Sequence, residues 1–199
     1  MKFVIDIDRT LTDDYSMYRG IKKHLMPELT VEEYLKQDFN YVGLVGEGEV
    51  KSWFNYKELG IKMFHSHDML REGSIDVLER LKDMGVELHI VTHRKPIFAE
   101  VTEELLADYR DLFASVVYTR GSKAEAVRTL LGESKYVAID DAPDVIEDYS
   151  KCPNCVKAIK MKTGFNECDL PEKASLVNCW SEVIEQFKEI VNIYNLKEL

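Results

Sequence analysis

The sequence predicts an α/β protein, a three-layer doubly wound parallel sheet with a small helical subdomain inserted after the first strand. Three observations predict it. The chain opens on the apolar run Phe3-Val4-Ile5, the pattern of a strand buried on both faces in the middle of a parallel sheet. From Ser74 onward, short apolar runs alternate with helical patterns, as they do when helices cover both faces of such a sheet. Between these parts, residues 14–73 lack the alternation and carry Tyr15, Tyr18, Tyr34, Phe39, Tyr41, Trp53, Phe54, Tyr56 and Phe64.

The elements are expected in the following order. In the insertion, Thr30-Val31-Glu32-Glu33 has the form of a capping box and opens a short helix. Gly43, Gly46 and Gly48 mark a loop, and residues 50–59 suit a second helix. Ser74 can cap a helix that carries Ile75, Leu78 and Leu81 on one face and ends at Gly85. Residues 86–91 form a strand, and Pro96 starts a helix reaching about Tyr109. A strand over 114–118, a helix over 122–131 and a strand over 136–139 follow. The chain closes with a short helix over 143–149, strands over 156–159 and near Leu176-Val177, and an amphipathic helix over 181–194. This divides the chain into a core of residues 1–13 and 74–199 and an inserted subdomain of residues 14–73.

Composition narrows the function. The 199 residues are 45% hydrophobic and 31% charged, ordinary for one globular domain with an insertion. A net charge of −10 disfavours nucleic acid as a partner, because phosphate backbones are held by Lys and Arg. It does not disfavour a small anionic ligand, since a local basic cluster outweighs distant charge through screening. No apolar run reaches membrane-spanning length, and Asp6 interrupts the only apolar stretch that a signal peptide would need. A cytoplasmic location is expected. Cys152, Cys155, Cys168 and Cys179 lack the paired tight spacing of a structural zinc site and read as free thiols.

Polar residues at the ends of apolar strands identify the candidate site. Asp6 and Asp8 stand two apart where the first strand ends, and burying carboxylates there is costly unless a cation neutralises them. Thr92-His93-Arg94 follows the second strand, Thr119-Arg120-Gly121-Ser122-Lys123 the third, and Asp140-Asp141, with Asp144 beyond, the fourth. Parallel strands present these tips at one edge. Acids, a hydroxyl and a lysine gathered there suit phosphoryl transfer through an aspartyl-phosphate. One carboxylate attacks phosphorus and a second acid handles the leaving-group proton. Hard oxygen ligands suit Mg²⁺, and Lys with a hydroxyl binds the phosphoryl oxygens.

The set Asp6-Ile7-Asp8-Arg9-Thr10, Thr92, Lys123 and Asp140-Asp141, in that order, resembles the haloacid dehalogenase superfamily over nearly the whole chain. The resemblance implies a Rossmann-like core, Asp6 as nucleophile and Asp8 as general acid/base. It further implies Thr92, His93 and Lys123 as phosphate-binding residues. Mg²⁺ would be held by Asp6, the backbone carbonyl of Asp8, and Asp140, with Asp141 or Asp144 in support. The inserted residues would form a helical cap over the substrate. Residues 156–166 and 176–182 are similar to the cytosolic 5′(3′)-deoxyribonucleotidase group and its bacterial and phage relatives, which implies a nucleoside monophosphate as substrate. On that reading Arg9, Tyr15, Tyr18 and Arg94 are candidates for substrate contact, and a homodimer is left open. Two departures stand out. Arg9 replaces the glycine usual in the superfamily, and His93-Arg94 is nearer the Ala-Arg of the bacterial relatives than the Ser-Pro of the mammalian enzymes. The alternatives are a phosphatase for another small ester or a polynucleotide 3′ end, and, in a different class, a receiver-type phosphoacceptor domain. Receiver domains lack a long insertion after the first strand, and their phosphorylated Asp ends a middle strand, where this chain has Thr119.

Overall fold

Six strands set the frame of the computed structural model, which describes residues 1–24, 26–36, 69–164 and 169–195. They are β1 (Lys2–Ile5), β2 (Glu87–Thr92), β3 (Phe113–Tyr118), β4 (Tyr136–Asp140), β5 (Cys155–Met161) and β6 (Ala174–Val177). All pair in parallel, in the order β3-β2-β1-β4-β5-β6. Among the described residues the α-helices are α1 (Ser16–His24), α2 (Val31–Leu35), α3 (Ser74–Asp83), α4 (Ala99–Leu106), α5 (Lys123–Leu131), α6 (Pro143–Lys151) and α7 (Trp180–Asn195).

Side-chain alternation divides the core into two layers. Phe3 and Ile5 pack with Leu78 and Leu81 of α3 and Val183 and Phe187 of α7. Val4, pointing to the other face, packs with Val127 and Leu131 of α5 and Ile146 and Tyr149 of α6. Each such fully buried side chain contributes about 1.5–3 kcal/mol relative to exposure. The sheet is therefore covered on both faces, as the apolar strands imply.

The capping box expected at Thr30 is present. Thr30 accepts from the Glu33 amide while the Glu33 carboxylate accepts from the Thr30 amide at 2.9 Å, which completes the capping box of α2. Residues 11–13 and 69–71 are tied together. Asp13 donates its amide to the Met69 carbonyl, Arg71 its amide to the Leu11 carbonyl, and Thr12 bridges Leu70 antiparallel. The expected loop at Gly43–Gly48 and the helix over 50–59 lie outside the described residues.

Two expectations are corrected. Ser74 does not cap α3. Gly73 does, with a φ of 73°, and Ser74 is the first helical residue, fully buried. The single helix expected over 96–109 is instead a 3₁₀ turn (Pro96–Phe98), α4, and a second 3₁₀ stretch (Ala107–Leu112). The backbone of Phe98 leaves helical geometry between the first two pieces, and the helix tightens at its end, as helix ends commonly do. Among the described residues no helix is long and apolar enough to cross a membrane.

Candidate active site

The strand order reverses between β1 and β4, and open α/β sheets bind ligands outside the carboxyl ends at such a point. Ile5 lies opposite Ile139, so Asp6 and Asp140 follow side by side. Alternation turns Asp6 to the face of Val4 and Asp140 to the face of Ala138, the layer that holds α5. Lys123 is the first residue of α5, whose cap Ser122 accepts from the Glu125 amide. The Lys123 ammonium thereby reaches both acids, donating to Asp6 Oδ1 at 2.5 Å and to Asp140 Oδ2 at 2.8 Å. Asp140 Oδ1 accepts from the Ala142 amide. Asp141 completes the cluster, with carboxylate oxygens of Asp6, Asp140 and Asp141 all within 4.8 Å of one another. Lys123 is 4% exposed and the three acids 5%, 1% and 2%.

Electrostatics follow from that burial. Desolvation pushes the Asp6 carboxyl up to about 7, against the opposing pull of Lys123, and the charges of Asp140 and Asp8 push the same way. Asp141 is raised for the same first reason, reinforced by Asp140 and Asp6, with Arg9 and Lys123 pulling it back. Burial alone would lower the Lys123 ammonium, but Asp140 and Asp6 outweigh it and hold it above its ordinary value. Ionising all three buried acids beside one ammonium would leave negative charge that a further cation could neutralise. The donors are hard oxygens, so the residues fit a divalent cation such as Mg²⁺. Asp144, the other candidate for metal support, is exposed on the first turn of α6. Neither it nor Asp141 caps that helix, whose N-cap is Ala142.

Asp8 stands apart from the cluster. The chain bends after Asp6, and Asp8 is extended where Arg9 takes a left-handed conformation, φ 62° and ψ 2°. That backbone suits glycine, and a side chain there costs roughly 1–2 kcal/mol. The Arg9 side chain is buried. Its charge lowers both Asp141 and Asp14, though burial leaves each raised. The Asp8 carboxylate, 40% exposed, is held by Arg94. Thr92 is buried, its hydroxyl accepting from the Arg94 amide and its carbonyl from the Thr119 amide. His93 is exposed, with Nε2 3.0 Å from the Gly121 carbonyl, which links the tips after β2 and β3. Tyr15 is exposed and meets Tyr18 edge-on. Tyr18 packs on Tyr34 and donates to the Leu29 carbonyl.

Three contributors escaped the sequence reading. Arg71 donates to the Arg9 carbonyl at 2.7 Å and to the Asp14 carboxylate. Trp180, fully buried, donates its indole N–H to the Thr10 carbonyl at 3.1 Å. Lys160, 1% exposed, lies opposite Asp140 on β5. Only Lys160 left a signal, as a lysine on the strand face that Ala158 also occupies.

No protein-family model and no curated protein matches the sequence. Solved structures do. A haloacid dehalogenase-superfamily hydrolase from Ehrlichia chaffeensis is 18% identical, with 96% of this chain and 97% of that chain covered at a TM-score of 0.56. A predicted phosphatase from Clostridium acetobutylicum is 16% identical, covering 94% and 98%, TM-score 0.65. CbbY from Rhodobacter sphaeroides, solved in complex with phosphate, is 14% identical, covering 92% and 95%, TM-score 0.62. The chain has the fold of the haloacid dehalogenase-superfamily hydrolases. Its strand order also differs from the 2-1-3-4-5 order of receiver-type domains.

Proposed function

We infer that the chain is a Mg²⁺-dependent phosphomonoesterase that works through phosphorylation of Asp6, with nucleoside monophosphates as its substrates in the cytoplasm. The observation that carries this reading is the Lys123 ammonium placed between Asp6 and Asp140, beside Asp141, at the point where the strand order reverses. Lys123 offsets the charge around the nucleophile and offers donors to phosphoryl oxygens, and Thr92 and His93 lie on the adjoining tip.

In the first half-reaction an Asp6 oxygen forms a bond to phosphorus as the ester P–O bond breaks. The Asp8 carboxyl gives its proton to the departing oxygen, which leaves as the alcohol. In the second, Asp8 takes a proton from water as that water attacks phosphorus. The Asp6–phosphorus bond breaks and inorganic phosphate is released. Mg²⁺, held by Asp6, Asp140, Asp141 and the Asp8 carbonyl, would neutralise the charge gathered where these anions meet.

The nucleotide is supported by the similarity of residues 156–166 and 176–182 to the deoxyribonucleotidase group, and by the exposed Tyr15 ring. Stacking of a base on such a ring is worth about 1–3 kcal/mol in nucleic-acid complexes. Phosphate release is to be measured with Mg²⁺ and with chelator across nucleoside monophosphates, ribose 5-phosphate, p-nitrophenyl phosphate and a 3′-phosphorylated oligonucleotide. Metal-dependent release is expected, with kcat/KM highest for the nucleoside monophosphates. Equal efficiency on all small esters would remove the nucleotide and keep the phosphatase. Release from none of them would overturn both.

A further inference from the structure

The residue that follows Thr92 by two is a buried arginine with an unusual task. Arg94 lies 86 positions from Asp8 in sequence, yet three of its contacts end on that one carboxylate. Nε donates to Oδ1 at 3.2 Å and to Oδ2 at 3.0 Å, and Nη2 donates to Oδ1 at 2.7 Å. The arginine side chain is 0% exposed while the Asp8 side chain is 40% exposed. The guanidinium is fixed from behind as well. Nη1 reaches Thr102 Oγ1 at 3.4 Å, and that hydroxyl donates to the Phe98 carbonyl at 2.9 Å. The Arg94 amide is held by the Thr92 hydroxyl. A rigid, buried fork therefore grips a carboxylate that reaches solvent and that Lys123, occupied by Asp6 and Asp140, does not hold.

We propose that Arg94 is a positioning residue, which aims the Asp8 carboxyl at the departing oxygen of the substrate rather than binding the substrate itself. This inference rests on the phosphatase reading above and revises the expectation that Arg94 contacts substrate. A planar guanidinium with parallel donors fixes both the position and the plane of a carboxyl group. Lysine, a point charge on a flexible stem, fixes neither. Orientation is worth much in catalysis, and a misplacement of about 1 Å can cost about 100-fold.

The chemistry of Asp8 supplies a readout that a structural role would not move. Transfer of a proton to the departing oxygen matters for an alkyl phosphate, whose alkoxide leaves poorly. It matters little for 2,4-dinitrophenyl phosphate, whose phenolate leaves unaided. Arg94→Lys is therefore compared with the parent on glycerol phosphate and on 2,4-dinitrophenyl phosphate, with Mg²⁺ present. The quantity read is kcat/KM, which covers the steps up to departure of the leaving group and not the later attack of water, where Asp8 acts on the same phosphoenzyme for either ester. The expected result is a loss of kcat/KM on glycerol phosphate of about 10- to 100-fold and a loss of less than threefold on the activated ester. Asp8→Asn should show the same selectivity, and adding Arg94→Lys to it should cost nothing more on either ester. An equal loss of kcat/KM on both esters, no loss on either, or losses that multiply in the double variant would overturn the proposal. If Arg94→Lys fails to fold, Arg94→Gln is carried through the same comparison. A parent that hydrolyses both esters while the variants lose activity without selectivity refutes Arg94 alone. A parent inactive on both refutes the phosphatase reading and this inference with it.

Discussion

Asp6 is held in two incompatible ways. Burial disfavours its charge, and the adjacent ammonium of Lys123 favours it, with burial prevailing so that the carboxyl is pushed up to about 7 from an ordinary 3.8. The consequence for stability has a definite sign. Between those two values the folded chain keeps a proton that the unfolded chain releases, so folding stability is lost as pH rises from about 4 to about 7. Asn, neutral at every pH, escapes that loss. In chelator, Asp6→Asn should melt above the parent at pH 8, and the gap should narrow as pH falls toward 4. A variant that melts below the parent at pH 8, or a gap independent of pH, would refute this electrostatic reading. The site's acids were legible because a carboxylate ending an apolar run has no bland place to go. The pairing of Asp8 with Arg94 was not, because side-chain contacts across 86 positions leave no local pattern. Nor was the conformation of Arg9, whose left-handed backbone contradicts the residue's own preference.

At the scale of elements, the strands announced themselves and the helix ends did not. Strands covered on both faces are largely apolar, so β1 and β4 stand out as runs and β2 does so despite the buried His89, and a polar residue at their tips is conspicuous. Helix boundaries depend on weaker effects. Gly73, not Ser74, caps α3, and the segment after Pro96 divides into three pieces although its apolar spacing suits one. α7 has a role beyond covering the sheet, because Trp180 at its start braces the turn that carries Asp8 through the Thr10 carbonyl. Trp180→Phe keeps a buried aromatic ring, gives up the rest of the indole and removes the donor, so the Thr10 carbonyl loses that partner. The expected cost is about 1–3 kcal/mol, a fall in Tm of several degrees for a chain of this size. Unchanged melting would mean that the indole N–H contributes nothing to the brace.

For the whole molecule, strand order is what converts separate motifs into a site. Asp6 and Lys123 are 117 residues apart. They meet because β1 and β4 are neighbours at the reversal and α5 packs on the face to which Asp6 turns. The alternation of strands and helices in the sequence establishes the parallel sheet and its layers. It does not state the order 3-2-1-4-5-6, which decides which tips lie side by side. The order also places β1, with Asp6 at its end, in the interior of the sheet and β3 at its edge. The most direct check of Asp6 as nucleophile is chemical trapping during turnover. A protein hydrolysing a phosphate ester with Mg²⁺ is quenched in acid, reduced with borohydride and digested, because an acyl phosphate is reduced to an alcohol while a free carboxylate is not. Homoserine at position 6, absent without substrate and absent in Asp6→Asn, is the predicted result. Homoserine at position 8 instead, or none in a protein that is turning over, would contradict it.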